Sequence, residues 1–137
     1  MKLHCVEAGD RSKPLMLFVH GFPEFWFSWK KQLKHFSKDY WVVAFDLRGY
    51  GDSEKPKGAS NYKIDYLVSD VVGLVKALGK ERCILVGHDW GGVICWNVAA
   101  LSSSSSVVEK LVIMNAPHPG AFQDKLRSSW KQFLKSW

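Results

Sequence analysis

The nine residues ILVGHDWGG, positions 84 to 92, constrain this chain more than any other stretch. A run of β-favouring apolar residues enters Gly87-His88-Asp89-Trp90-Gly91, and the apolar pattern then resumes through Val93, Ile94, Trp96 and Val98. A strand therefore passes into a helix with almost no loop. That junction belongs to a sheet of mostly parallel strands whose helices cover both faces.

The rest of the chain repeats the alternation. Short, almost wholly apolar runs at 15–19, 42–45, 84–86 and 111–114 read as strands buried on both faces, and the segment LHCVEA adds a weaker first strand. Between them, residues 26–36 alternate aromatic and basic side chains at helical spacing. Ile64, Leu67, Val68, Val71, Val75 and Leu78 make an apolar stripe that Gly79 closes as a helix C-cap. The serine run at 102–106 reads as a loop, and no linker divides the chain. The expectation is one α/β unit over 1–137, with 120–137 opening a further connecting helix.

Composition narrows the classes. The chain is 47% apolar and 14% aromatic, ample for a core. Its 19 basic residues exceed its 13 acidic ones, giving a formal net charge of +6, but the lysines and arginines are scattered between apolar segments as on solvated helix faces. No nucleic-acid partner is expected. Cys5, Cys83 and Cys95 are odd in number, lack metal-ligand spacing and sit in apolar contexts, as reduced core residues of a cytosolic protein would. The start, MKLHCVEAGD, holds no signal peptide or membrane anchor; an anchor would have to lie upstream of Met1.

The turn carries the chemistry. Gly-x-nucleophile-x-Gly is the pattern of a nucleophile elbow, in which a strained backbone lifts one side chain clear of the sheet's C-terminal edge. Gly87 and Gly91, with Gly92 extending the allowance, leave room where a side chain would meet a neighbouring element. An aspartate needs no base to attack, since a carboxylate with a reference pKa of about 3.9 is anionic at neutral pH. It suits attack on an sp3 carbon, giving an alkyl ester whose cleavage needs an oxyanion hole. After strand 15–19 comes His20-Gly21-Phe22-Pro23-Glu24, where Gly21 permits an unusual turn and Pro23 stiffens it, so that the Phe22 N–H points at the site. With the Trp90 N–H at the helix start, two donors would converge on Asp89.

In HGFPEFWFSW, DLRGYGDS, VGHDWGG and NAPHPG the chain resembles the α/β-hydrolase fold enzymes, and within them the epoxide hydrolases, in order and over nearly its whole length. The resemblance implies Asp89 as nucleophile, the Phe22 and Trp90 amides as oxyanion hole, Phe22 and the Trp90 indole against a small apolar epoxide substrate, and no cofactor or metal. It also implies two lid tyrosines and a late histidine with an acid partner, which this chain does not reach. Tyr40, Tyr50, Tyr62 and Tyr66 all precede the elbow. The expected architecture is an α/β-hydrolase sheet truncated after about the sixth strand, inactive alone.

Other readings bear on the same residues. His88 beside Asp89 is expected to be structural, because neighbouring side chains diverge at an elbow, and His118 in PHPG is read as a turn residue. His20 orients the oxyanion loop. Asp46, Arg48 and Asp52 form a hydrogen-bonded loop after strand 42–45, while Trp26 and Trp29 line either core or pocket. Asp89 itself could merely cap its helix, a role that needs none of the flanking glycines. A haloalkane or haloacid dehalogenase uses the same aspartate, but often with an Asn where Phe22 stands; a non-catalytic fragment is the alternative of another class. Phe122, Leu126, Trp130, Phe133, Leu134 and Trp137 form one apolar face in the tail, a site for self-association.

Overall fold

The computed structural model describes residues 1–101 and 106–128. Its sheet is built from β1 (Cys5–Ala8), β2 (Leu15–Val19), β3 (Trp41–Phe45), β4 (Cys83–His88) and β5 (Val108–Met114). The strand order is β1-β3-β2-β4-β5, with β1 antiparallel to β3 and every other pair parallel. β2 to β5 are the four apolar runs and β1 is the weaker LHCVEA strand; the count of about six came from the family resemblance, and the described residues hold five. β5, expected to be buried on both faces, has no fully buried residue, because no strand lies on its outer side among the described residues. β3, β4 and β5 each start one to three residues earlier than their apolar runs, because Trp41, Cys83 and Val108 also enter the ladder.

Helices α2 (Ile64–Ala77) and α3 (Trp90–Ala99) cover one face. Their Val71, Val75, Ile94, Cys95 and Val98 meet Leu15, Leu17, Val43, Phe45 and Leu85 in a buried cluster. The other face takes Met16, Phe18, Val42, Ala44, Ile84 and Val86 of the strands against Trp29 and Leu33. This alternation is the two-face periodicity of strands carried into a two-sided core.

The segment 26–36, expected as one helix, is two elements. A 3-10 turn, Trp26–Trp29, leads into α1, Lys30–Phe36. Its entry is fixed from outside: the Trp26 N–H donates to Asp46 Oδ1 (2.9 Å), and Ser28 N–H closes a tight i to i−3 bond to Phe25 (3.1 Å). Helix α2 ends as read, with Gly79 at φ +74° and its N–H on the Lys76 carbonyl (2.9 Å). The loop after β3 is held to α2 by a buried two-pronged ion pair, Arg48 Nε to Asp70 Oδ2 (2.6 Å) and Nη2 to Oδ1 (2.7 Å). Helix α4 (Pro119–Ser128) turns Phe122 and Leu126, both half-buried, to one side. The remainder of the apolar tail face, and positions 102–105 of the serine loop, lie outside the described residues.

Candidate active site

β3 lies on one side of β2 and β4 on the other, so the chain reverses its winding between β2 and β4. A crevice opens at the carboxyl ends of strands where the order reverses. The segments that follow β2 and β4 are those carrying Phe22 and Asp89.

Asp89 has φ +53° and ψ −125°, a conformation that an L residue adopts only under constraint from its surroundings. Its backbone is held at both ends: its N–H donates to the Met114 carbonyl of β5 (3.1 Å), and its carbonyl accepts the Val93 N–H (3.2 Å). The carboxylate makes no capping bond to helix α3, which removes the simple cap as its role. Instead Oδ1 accepts the Phe22 N–H at 2.8 Å, joining the two loops.

Close approach explains the glycines. A Cβ on Gly91 would stand 2.3 Å from the Val19 carbonyl oxygen and 2.4 Å from that of His20. One on Gly87 would meet Cys95 Sγ at 2.7 Å, and one on Gly92 would meet Ala116 Cβ at 2.6 Å. Gly21 differs from its expected role. A Cβ there would lie 2.5 Å from Asp89 Cβ, so this position needs space for the aspartate and not an unusual backbone turn. The Phe22–Pro23 peptide is cis.

His20 ties the loop to the segment after β3. It is fully buried, its Nε2 accepts the Leu47 N–H (3.0 Å), and its Nδ1 bonds the Gly21 carbonyl (2.8 Å). Burial pushes its pKa down, against the opposing pull of Gly21 and of the Asp46 and Glu24 charges. Asp46 anchors the neighbouring loop, accepting from the Trp26 and Asp52 amides and pairing with His4 (2.9 Å).

His88 pairs through Nδ1 with Glu24 Oε2 at 3.3 Å. Glu24 Oε2 also accepts the Gly21 N–H at 3.2 Å. One carboxylate thus ties the loop before Phe22 to the strand end before Asp89. Sequence reading passed over Glu24, and also Asn115, which follows β5 at φ +54° and lines the cavity beside Asp89. The cavity holds about 620 Å³ and is walled by Trp90, Val93, Pro117, Pro119 and Phe122 as well. Trp90 and Phe22 stand at the site 60% and 64% exposed. The Trp90 N–H belongs to the first turn of α3, whose leading amides have no partner within the helix. His118 turns elsewhere, its ring edge-on to Trp96 at 4.9 Å. Trp29 is core, and Trp26 is half-buried against it. Among the described residues, no group of three or more His, Cys, Asp or Glu is placed to hold a metal, and no helix is long and apolar enough to cross a membrane.

Comparison with known proteins bears on the fold and the family. A family model described as alpha/beta hydrolase fold matches residues 14–137. Epoxide hydrolase 1 of Caenorhabditis elegans is 47% identical over all of this chain, which covers 33% of that protein. Human epoxide hydrolase 4 is 47% identical over 99% of the chain and 37% of its own length. The chain thus spans about a third of the length of these curated relatives. A Bacillus megaterium epoxide hydrolase, solved in complex with an inhibitor, superposes with a TM-score of 0.90 and 44% identity over 98% of this chain and 46% of that one.

Proposed function

The chain belongs to the alpha/beta hydrolase fold family, and from that premise we propose that it is the nucleophile-bearing part of an epoxide hydrolase. The single observation that carries the reading is the Phe22 N–H held 2.8 Å from Oδ1 of an aspartate at φ +53°. A carboxylate lifted on a strained turn and aimed into an apolar cavity is arranged to attack, and the amide is arranged to stabilise what the attack produces.

In this reading the two oxygens have different roles. Oδ2, free of the Phe22 amide, attacks the epoxide carbon; the carbon–oxygen bond of the ring breaks, and its electron pair leaves on the alkoxide, which takes a proton from water. Oδ1, to which the Phe22 N–H already donates, becomes the ester carbonyl oxygen, and the Trp90 amide supplies the second donor of the oxyanion hole. Water then adds at the carbonyl carbon, negative charge gathers on Oδ1, and collapse releases the diol. The Trp90 indole and Phe22 ring flank the apolar substrate. The last step calls for a base worth typically about a hundredfold or more. His88 bonds Glu24 through Nδ1 and His118 stands edge-on to Trp96, and the reading assigns the base to neither. The phenyl ring of Phe22 offers no donor to a halide, which disfavours the dehalogenase reading.

Incubating the 137-residue protein with a small aryl epoxide should give a stoichiometric mass adduct that peptide mapping places on Asp89. It should be absent in Asp89→Ala. An adduct of equal yield in Asp89→Ala would refute the assignment of the nucleophile, and sustained turnover lost in that variant would show that this chain does supply a base.

A further inference from the structure

We propose that the segment Phe25–Lys38 is a docking surface for an anionic phospholipid membrane. Phe25 and Phe27 are 44% and 46% exposed, and their rings stack on each other at 5.9 Å with planes 12° apart. Two adjacent phenyl rings form an apolar tip beside the site, which an isolated exposed side chain would not. The tip rests on a firm base. Trp26 meets both rings edge-on, at 6.3 and 5.4 Å, and is itself pinned through its N–H to Asp46.

The charge beside this tip is of one sign. Lys30, Lys31, Lys34 and Lys38 are all exposed, and no acidic residue occurs between Glu24 and Asp39. Lys30 Nζ sits 4.9 Å over the Phe27 ring, so the first ammonium adjoins the aromatic tip. Lys30 and Lys34 are one helical turn apart on α1 and both exposed, flanking the buried Leu33. Rings at the leading end with a basic flank behind them match the two layers of a membrane surface: acyl chains for the rings, anionic headgroups for the ammoniums. The stretch is not spanning, and the net charge of +6 adds attraction at longer range. Phe22, three residues before the tip, bonds Asp89, so the docking segment continues the loop that reaches the candidate site; the docking itself does not rest on the proposed function.

Cosedimentation of the 137-residue protein with vesicles tests this directly. Binding is expected to phosphatidylcholine vesicles containing phosphatidylserine, to be far weaker to phosphatidylcholine alone, and to fall with added salt. Lys30→Glu with Lys34→Glu should lower the affinity by at least about tenfold, since each lysine near such a surface is worth roughly fivefold. Phe25→Ser with Phe27→Ser should also release the protein, and circular dichroism checks that both variants stay folded. No binding to anionic vesicles, or binding unchanged in either variant, overturns the proposal. So does binding of a single-stranded oligonucleotide, lost in the lysine variant, without vesicle binding; that outcome assigns the surface to nucleic acid.

Discussion

The two ring nitrogens of His20 do different work, and that fixes its protonation state. Nε2 accepts the Leu47 N–H, so the single proton of the neutral ring is on Nδ1, where it donates to the Gly21 carbonyl. A second proton would set Nε2 against the Leu47 N–H. Burial lowers the folded-state pKa, so on acidification the unfolded chain takes up the proton first. The stabilisation is complete above the ordinary histidine value of about 6.5 and is lost as pH falls from there toward the folded value. Asp46 acts with the same sign in a lower window. Burial, the largest single influence, raises its pKa, but the Trp26 and Asp52 amides and His4 together bring it below the ordinary carboxylate value. Urea midpoints should therefore drop between about pH 7 and 5 in the native protein. His20→Gln should be less stable at neutral pH yet flatter over that window. Parallel profiles for the two proteins would show that His20 contributes nothing to the pH dependence.

At the scale of elements, two glycines in helices call for opposite outcomes. Gly91 opens α3 where a Cβ would press on the backbone oxygens of Val19 and His20, so Gly91→Ala must push α3 off the end of β2. A loss of about 1–3 kcal/mol, with loss of Asp89 adduct formation, is expected. Gly73 lies inside α2 with nothing within 4 Å of its missing Cβ, so Gly73→Ala should gain about 0.5–1 kcal/mol by helix propensity alone. Urea denaturation of the two variants measures both, and a stabilised Gly91→Ala would mean that the turn is looser than described. Strands β2, β3 and β4 were legible because strands buried on both faces become unbroken apolar runs, and Asp89 because its glycines mark a turn too tight for side chains. The division of 26–36 was not legible, since its cause is a bond from Trp26 to Asp46, twenty residues on. Nor was the Glu24 tie, whose partner His88 is 64 residues away, or the positive φ of Asn115, which no glycine announced.

The whole molecule shows an imbalance between its faces. Helices α2 and α3 cover one side of the sheet, but on the other the cover from Trp29 and Leu33 reaches Ile84 and Val86 of β4 and stops short of β5. Val112 and Met114 of β5 point to that side and are 45% and 37% exposed, while Leu111 and Ile113, facing α3, are half-buried. Among the described residues β5 also has no strand on its outer edge, so its backbone groups there offer a ready template for another strand. A free strand edge and an uncovered apolar face on the same element both drive association, and a second copy of the chain supplies a matching edge. The 137-residue protein should therefore self-associate with rising concentration in sedimentation velocity and bind a hydrophobic dye. Val112→Lys with Met114→Lys places two charges on that face without entering the buried clusters, and should shift the protein toward monomer and reduce dye binding. The Phe25→Ser and Phe27→Ser variant changes neither the β5 edge nor Val112 and Met114, and should leave the association in place. A protein that stays monomeric and dye-silent at every concentration would mean that β5 is covered by its own chain; association that survives both lysines would move the interface to another surface, the α4 face with Phe122 and Leu126 first among them.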